Sequence, residues 1–200
     1  MKIGTAATAA AFKEILGSDS VAIILATPLE ERATQAVAAI EHGKAVFSHK
    51  PLAMDGDDTQ LVVDVARGNC LLLGIDLPHR YDPALASIAP AQSVSITLAD
   101  QNLLYDALDI AVLALRSPRI VRVTPARVEL AGGRAIEIQN GATNSVTIDG
   151  KTITLNGANA GRALSAFQDR LAISTDFDET IESVVDAARI LDQLHSRIGT

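Results

Sequence analysis

The 200-residue sequence is poor in the residues on which several classes of protein depend: it has one cysteine, no tryptophan and 3% aromatic residues. A single cysteine, Cys70, excludes an internal disulfide and is typical of a protein in a reducing cytoplasm. Few aromatic rings are available to stack on nucleic-acid bases, and the net charge of −7 disfavours a phosphate-binding surface. No apolar run approaches the roughly 18 residues that a membrane-spanning helix needs. We therefore expect no nucleic-acid and no membrane partner.

Short apolar runs at residues 21–26, 45–47 and 70–74 alternate with amphipathic segments in the first half of the chain. Strands separated by helices of 10–15 residues are typical of βαβ units. Uniformly apolar strands indicate a parallel sheet that is covered on both faces. The pattern predicts a Rossmann-like sheet with polar residues at the carboxyl ends of its strands, where such sheets bind ligands. Cys70, in a leucine-rich run, is predicted to be buried.

The character of the chain changes around residues 84–92, and we place a domain boundary there, with domains at 1–86 and 87–200. The second domain is predicted to contain a half-buried strand at 93–98, a buried helix at 103–115 and a long final helix. Asn140-Gly141 and Asp149-Gly150 are typical type I′ hairpin turns, so 119–155 is predicted to be an antiparallel meander.

Two carboxylates, Asp106 and Asp109, lie three residues apart on one face of the apolar helix. Burying unpaired carboxylates is costly. Three roles remain open: the pair faces a cleft and acts chemically, caps a neighbouring segment, or binds a partner subunit.

Four motifs resemble the glucose–fructose oxidoreductase/inositol dehydrogenase family, known as Gfo/Idh/MocA. The family's Ala-Thr-Pro strand end matches residues 26–28, and its Gly-Lys helix end matches residues 43–44. Its Glu-Lys-Pro-Leu signature appears as His49-Lys50-Pro51-Leu52, and its Arg-Phe-Asp-Pro segment resembles residues 80–83. The similarity is looser in the second half of the chain.

The resemblance implies a Rossmann domain that binds NAD or NADP and a second α/β domain for substrate and oligomer contacts. The cofactor-binding residues would be Ala26, Thr27, Pro28, His49 and Lys50, and the substrate-binding residues would be His79, Arg80 and Asn102. The catalytic candidates are Lys50, Asp106 and Asp109. A lysine at this place stabilises a developing alkoxide.

The sequence also departs from the family pattern. It contains no G-x-G-x-x-G turn, and the family's catalytic Asp-x-x-x-His pair falls on Asn102 and Asp106. Few residues precede the Ala-Thr-Pro strand, so the first βαβ unit is predicted to be missing. The fold prediction is a truncated Rossmann-like parallel sheet followed by a smaller α+β domain with an antiparallel meander. An open sheet edge is expected at residues 21–26, and such edges need cover or pairing.

These observations predict a diverged oxidoreductase homologue that lacks independent NAD(P) binding and acts as a non-catalytic ligand-binding, scaffold or partner subunit. The alternative is an active NAD(P)-dependent dehydrogenase of a sugar or polyol that uses Lys50, with its cofactor site rebuilt or completed by another chain. We expect a homo-oligomer, or a hetero-oligomer with a full-length paralogue.

Each candidate also has a structural interpretation. Lys50 could serve only to bond its own loop, and His49 could be a surface residue. Arg80 could pair with Asp76 or Asp82. The glycine-spaced residues 156–161 fit a loop better than a phosphate-binding turn. No spacing of His, Cys or Asp residues suggests a metal site.

Overall fold

The structure is a computed structural model that describes residues 2–87, 90–116, 119–156 and 161–198. The chain forms two compact units, one of Met1–Asp76 with Gly161–Ile181 and the other of Leu77–Ala160 with Glu182–Thr200. These units differ from the predicted contiguous domains 1–86 and 87–200, because the first unit ends earlier and includes a later helix.

The first unit is built on a four-stranded parallel sheet with the strand order β1-β2-β3-β4. Helices α1, α2 and α3 connect successive strands, as the alternating apolar runs predict. The Rossmann-like parallel sheet is therefore confirmed. The bounds are β1 (Ile3–Ala6), α1 (Ala9–Leu16), β2 (Ala22–Leu25), α2 (Leu29–Glu41), β3 (Ala45–Ser48), α3 (Gly56–Gly68) and β4 (Leu73–Ile75).

The sheet begins one strand earlier than the sequence suggested. Thr5 lies in β1, and α1 begins only after Thr8, whose hydroxyl accepts the N–H of Ala11 at 3.2 Å. A Cβ atom on Gly4 would lie 2.4 Å from Ile15, so the glycine allows α1 to pack closely on β1. The predicted open edge at residues 21–26 is wrong, because β1 pairs with β2 along its length.

A helix that the sequence did not reveal, α5 (Arg162–Ile173), packs against β3 and β4 in the first unit. The Phe167 ring lies 5.3 Å from the Phe47 ring, measured between centroids. A Cβ atom on Gly74 would come within 2.7 Å of Phe167 and 2.9 Å of Phe47, so only glycine leaves room for both rings. Together these residues form the core cluster of Ala22, Ala45, Phe47, Leu72, Ala163, Phe167 and Leu171.

The predicted burial of Cys70 is wrong. Cys70 is exposed, because it adopts a φ of 54° in the turn after α3 rather than joining the strand. Leu61 is 53% exposed, whereas Val62 and Val63 are buried. The buried stripe of α3 is rotated away from Leu61, toward Thr59 and Ala66.

The second unit contains a mixed six-stranded sheet with the order β10-β9-β5-β8-β7-β6. Helices α4 and α6 pack on each other, and both contact strands of this sheet. Alternate side chains of β5 are buried, as the 93–98 pattern predicted, and α4 is buried almost all round. The bounds are β5 (Val94–Leu98), α4 (Leu104–Leu115), β6 (Ile120–Thr124), β7 (Arg127–Leu130), β8 (Ala135–Asn140), β9 (Ser145–Ile148), β10 (Lys151–Thr154) and α6 (Ser183–Ile198).

The predicted meander is only partly correct. The Asp149-Gly150 hairpin joins β9 and β10, and both of its residues have positive φ values of 45° and 84°. Asn140-Gly141 makes no hairpin, because β5 lies between β8 and β9 and runs parallel to β8. The Asn144 side chain accepts the N–H groups of Ala99 and Asp100, each at 2.8 Å, which fixes this loop at the end of β5.

No helix in the described parts of the chain is long and apolar enough to cross a membrane.

Candidate functional site

The carboxyl edge of the first unit's sheet collects the residues that follow its strands. Thr27 and Pro28 follow β2, and His49 and Lys50 follow β3. The His49 N–H donates to the Leu25 carbonyl at 3.1 Å, so these two strand ends are neighbours. Parallel sheets place such residues at one edge. The structure therefore brings the five predicted cofactor-binding residues together: Ala26, Thr27, Pro28, His49 and Lys50.

Arg32, in the first turns of α2, connects the two strand ends. Its Nε donates to the Thr27 carbonyl at 2.8 Å. Its Nη1 donates to the carbonyls of Lys50 at 3.2 Å and Pro51 at 2.9 Å, with the His49 carbonyl at 3.5 Å. One guanidinium thus fixes the backbone of both motifs. Sequence reasoning missed Arg32, because backbone acceptors leave no signal in the residue types around it.

The Thr27 side chain is used inside the first unit. Thr27 is buried, and its hydroxyl donates to the Gln35 amide oxygen at 2.8 Å. The Gln35 amide nitrogen in turn donates to Glu31 at 2.7 Å. This chain of hydrogen bonds fixes the orientation of Thr27 at the start of α2.

His49 and Lys50 differ in their environment. The His49 side chain is exposed and Lys50 is half-buried. The peptide bond between Lys50 and Pro51 is cis. The hydroxyl of Ser48 donates to the His49 carbonyl at 2.9 Å. The backbone of this loop is therefore bound from two sides, by Ser48 and by Arg32.

The turn between β1 and α1 is where a phosphate-binding turn would follow the first strand. Its residues Ala7 and Thr8, like Thr5 and Ala6 at the end of β1, all carry a Cβ atom, whereas close approach of a pyrophosphate needs glycine. The Thr8 hydroxyl already accepts the Ala11 N–H, one of the donors at the start of α1. This turn does not fit the pyrophosphate of NAD or NADP in the manner of a glycine-rich turn.

In the second unit, Asp106 is bound by His79. The His79 Nδ1 lies 3.1 Å from the Asp106 carboxylate, and its Nε2 lies 3.0 Å from the Asn156 carbonyl. His79 is 4% exposed and Asp106 1% exposed. Both ring nitrogens of His79 therefore face hydrogen-bond acceptors within the protein.

Asp109 is bound by Arg80. The Arg80 Nε donates to Asp109 at 3.1 Å, its Nη2 donates to the other carboxylate oxygen, and the same Nη2 donates to the Ser183 hydroxyl at 2.9 Å. Burial lowers the pKa of Arg80, but the Asp109 charge and hydrogen bond more than offset this and leave the pKa above its usual range. Asp109, a carboxylate that was not among the partners suggested by the sequence, is thus bound to Arg80.

Asn102, the third predicted substrate-binding residue, lies in the short 3₁₀ turn before α4 and is exposed. Its backbone N–H donates to the Asp100 carboxylate at 2.9 Å.

Within the described residues, no three His, Cys, Asp or Glu side chains are grouped to hold a metal ion. The carboxylates of α4 are thus bound by His79 and Arg80.

A cleft of about 640 Å³ opens in the second unit, between the start of α4, the end of β8 and the end of α6. It has apolar walls that include Leu104 and Ile138, and polar side chains from Gln101, Asn140 and His195. The Gln101 amide donates to the Asn140 side-chain oxygen at 2.9 Å. A volume of this size is typical of a small-molecule site.

No protein-family model matches the sequence, and no curated protein matches it significantly. Solved structures do match. Scyllo-inositol dehydrogenase from Lactobacillus casei, with bound NAD(H) and scyllo-inositol, is 13% identical with a TM-score of 0.69, over 98% of this chain and 89% of that chain. KijD10, a 3-ketoreductase from Actinomadura kijaniata in complex with TDP-benzene and NADP, is 15% identical with a TM-score of 0.66, over 98% and 88%.

A third match is UDP-N-acetylglucosamine 3-dehydrogenase GnnA from Acidithiobacillus ferrooxidans, with 13% identity and a TM-score of 0.67 over 92% of this chain and 81% of that chain. At these identities the likeness concerns the fold. The chain has the fold of the Gfo/Idh/MocA-type oxidoreductases, the family that its sequence motifs resemble.

Proposed function

We propose that this protein is a non-catalytic, ligand-binding relative of the oxidoreductases whose fold it has. The proposal rests on the binding partners and the burial of the two carboxylates of α4. Asp106 is bound by His79 and Asp109 by Arg80, and all four side chains are almost fully buried. A general acid or base must reach the proton that it transfers. Buried and internally bound, these carboxylates serve as structural groups.

The turn after β1 supports the same proposal. It lacks the glycines that would admit a pyrophosphate, and Thr8 caps the helix that follows. A chain without this turn loses the backbone donors and the helix end that bind the cofactor phosphates. Independent NAD(P) binding is therefore not expected.

The deciding experiment is a titration of the purified protein with NADH and NADPH, followed by nicotinamide fluorescence and calorimetry. The proposal predicts no saturable binding up to millimolar cofactor. Saturable micromolar binding that weakens in Lys50→Ala, but not in the exposed control Lys151→Ala, would overturn it.

One observation favours a second function, an NAD(P)-dependent dehydrogenase of a sugar or polyol that uses Lys50. Arg32 binds the backbone carbonyls of His49, Lys50 and Pro51, and an ammonium carried on a fixed backbone is suited to stabilise a developing alkoxide. The cofactor site would then be rebuilt, or completed by another chain. This function predicts nicotinamide oxidation or reduction with sugars or polyols, followed at the nicotinamide absorbance, and loss of that activity in Lys50→Ala.

We also propose that the chain assembles, as a homo-oligomer or with a full-length paralogue. The support is the position of β1 at the edge of the first sheet and the polar side chains, such as Thr147 and Thr152, on one face of the second. Sedimentation of the purified chain tests this. A monomer at all concentrations, alone and mixed with a paralogue, contradicts it.

A further inference from the structure

The guanidinium of Arg32 has an unusual set of partners. Its hydrogen bonds from Nε and Nη1 all go to backbone carbonyl oxygens, those of Thr27, Lys50 and Pro51 together with the longer contact to His49. Within the described residues no carboxylate forms an ion pair with it. Partly buried arginines usually meet a carboxylate or phosphate in the bidentate geometry that their planar group favours. Arg32 therefore leaves a whole positive charge at the carboxyl edge of the sheet.

The second terminal nitrogen of Arg32, Nη2, has no acceptor among the residues that the structure describes. In that same set, the one buried side-chain nitrogen or oxygen without a partner is the Tyr105 hydroxyl. Nη2 is consequently not buried but reaches solvent. It is a donor whose position is fixed in advance by the bonds from Nε and Nη1, so little conformational entropy remains to be lost when it binds a ligand.

The groups around Arg32 carry both signs of charge. The loop whose carbonyls bind Arg32 also carries the exposed His49 and the half-buried Lys50. Glu31 is bound by Gln35. Burial lowers the pKa of Arg32. The negative charge of Glu30 raises the same pKa, but by less than burial lowers it. Asp76, which follows β4 and donates its N–H to the Ser48 carbonyl at 2.9 Å, adds a negative charge at the same edge. An anion is therefore favoured by Arg32 itself, which forms no ion pair within the described residues.

We propose that Arg32 Nη2 forms an anion-binding site at the carboxyl edge of the first sheet, beside the loop that carries Lys50. The site takes the phosphate or carboxylate group of a small ligand, because both groups match the donor geometry of a guanidinium. The inference rests on the proposed ligand-binding role and adds the chemical class of the ligand.

The first test uses the unmodified protein. Inorganic phosphate or succinate is added at constant ionic strength while the arginine Nε–Hε signals are followed by NMR. The proposal predicts a saturable shift of the Arg32 signal and no comparable shift of the exposed Arg122. A site for phosphate groups responds more strongly to phosphate, and a site for carboxylates responds more strongly to succinate. No saturable shift with either anion, or an equal shift of Arg122, would overturn the proposal.

The second test uses matched variants, since Arg32→Gln and Arg122→Gln change the net charge equally. Arg32→Gln is expected to weaken binding of the preferred anion about tenfold or more, the loss typical of a hydrogen bond to a charged group. Lys50→Ala is expected to weaken it by a smaller factor, and Arg122→Gln to leave it unchanged. Should Arg32→Gln fail to fold, as judged by thermal unfolding, the NMR test on the unmodified protein decides.

The result of the anion-binding tests can be distinguished from the result of the NADH and NADPH titration. Anion binding without NADH binding agrees with both proposals. NADH binding with an Arg32 response overturns only the non-catalytic role. A protein that binds neither anion overturns the site at Arg32, whatever the NADH result.

Discussion

The guanidinium of Arg80 and the carboxylate of Asp109 form a buried ion pair in the second unit, with 5% and 1% of their side chains exposed. The Ser183 hydroxyl accepts a further hydrogen bond from Arg80 and so connects the start of α6 to the pair. Two charges removed from water remain tolerable only while each satisfies the other.

Removing one member of this pair should therefore cost more than removing both. Asp109→Asn leaves the Arg80 charge buried and is expected to lower the free energy of unfolding by about 3–5 kcal/mol. The double variant Arg80→Met with Asp109→Leu should recover most of that loss. Urea denaturation measures the free energy of unfolding of the single and the double variant. The control is Arg127→Met in the exposed Arg127–Glu137 pair, which is expected to cost about 1 kcal/mol or less. A double variant as unstable as Asp109→Asn would contradict the account.

The Tyr105 hydroxyl is buried without a hydrogen-bond partner among the described residues. Burial, and then the charge of Asp109, raises the pKa of Tyr105, so the hydroxyl remains protonated. A buried donor that makes no bond costs about 1–3 kcal/mol. Tyr105→Phe is therefore expected to raise the free energy of unfolding by about 1 kcal/mol, as measured by urea denaturation. A loss of stability in Tyr105→Phe would show that the hydroxyl has a partner.

Gly74 is required by the two phenylalanine rings around it. A methyl group there would meet Phe167 at 2.7 Å and Phe47 at 2.9 Å. Gly74→Ala is expected to cost about 1–3 kcal/mol, as overpacking in a core does. Gly68, at the end of α3, has no atom within 4 Å of an added Cβ. Gly68→Ala should be neutral or stabilising by about 0.5–1 kcal/mol. Thermal unfolding compares the two variants, and equal effects would contradict the packing argument.

Asp149 connects the β9–β10 hairpin to the start of β5. Its carboxylate accepts the N–H groups of Ser93 at 2.8 Å and Gln92 at 3.1 Å, and these bonds lower its pKa. The stabilisation is thus present above the pKa of the unfolded chain, about 3.9, and is lost as the pH falls through the lower folded value.

The midpoint of thermal unfolding should differ between the wild-type protein and Asp149→Asn by a constant amount from neutral pH to about pH 5. Below about pH 4 the difference should shrink as the carboxylate protonates. Melting curves across this range measure it, and a difference that grows on acidification would contradict the assignment.

The sequence predicted those elements whose signals are local. The apolar runs of β2 and β3, bounded by Pro28 and Gly43, and the amphipathic pattern of α2 needed no distant partner to be recognised. The pairing of β8 with β5 was missed, because Val94 and Ile136 meet across a long stretch of chain and the Asn140-Gly141 turn resembles a hairpin. Helix α5 was missed because the glycine-spaced residues before it were interpreted as part of a loop.

The same distinction between local signals and distant contacts applies to the residues of the candidate site. Motifs pointed to Thr27 and Lys50, and the structure places them at one edge of the sheet. The partners of Asp106 and Asp109 lie 27 and 29 residues away in sequence, so no local pattern could pair them. Arg32 was missed for a different reason, since carbonyl oxygens are common to all residues and carry no sequence signal.

Helix α5 has a consequence for how the chain is synthesised. The sheet face formed by Ala22, Ala45 and Phe47 is covered by residues that are translated about a hundred positions after β4 is complete. At roughly 5–20 residues per second, the ribosome leaves that apolar face uncovered for roughly 5–20 s. The nascent sheet thus stays prone to aggregation until α5 emerges, and a fragment that ends before residue 161 is expected to leave this apolar face exposed.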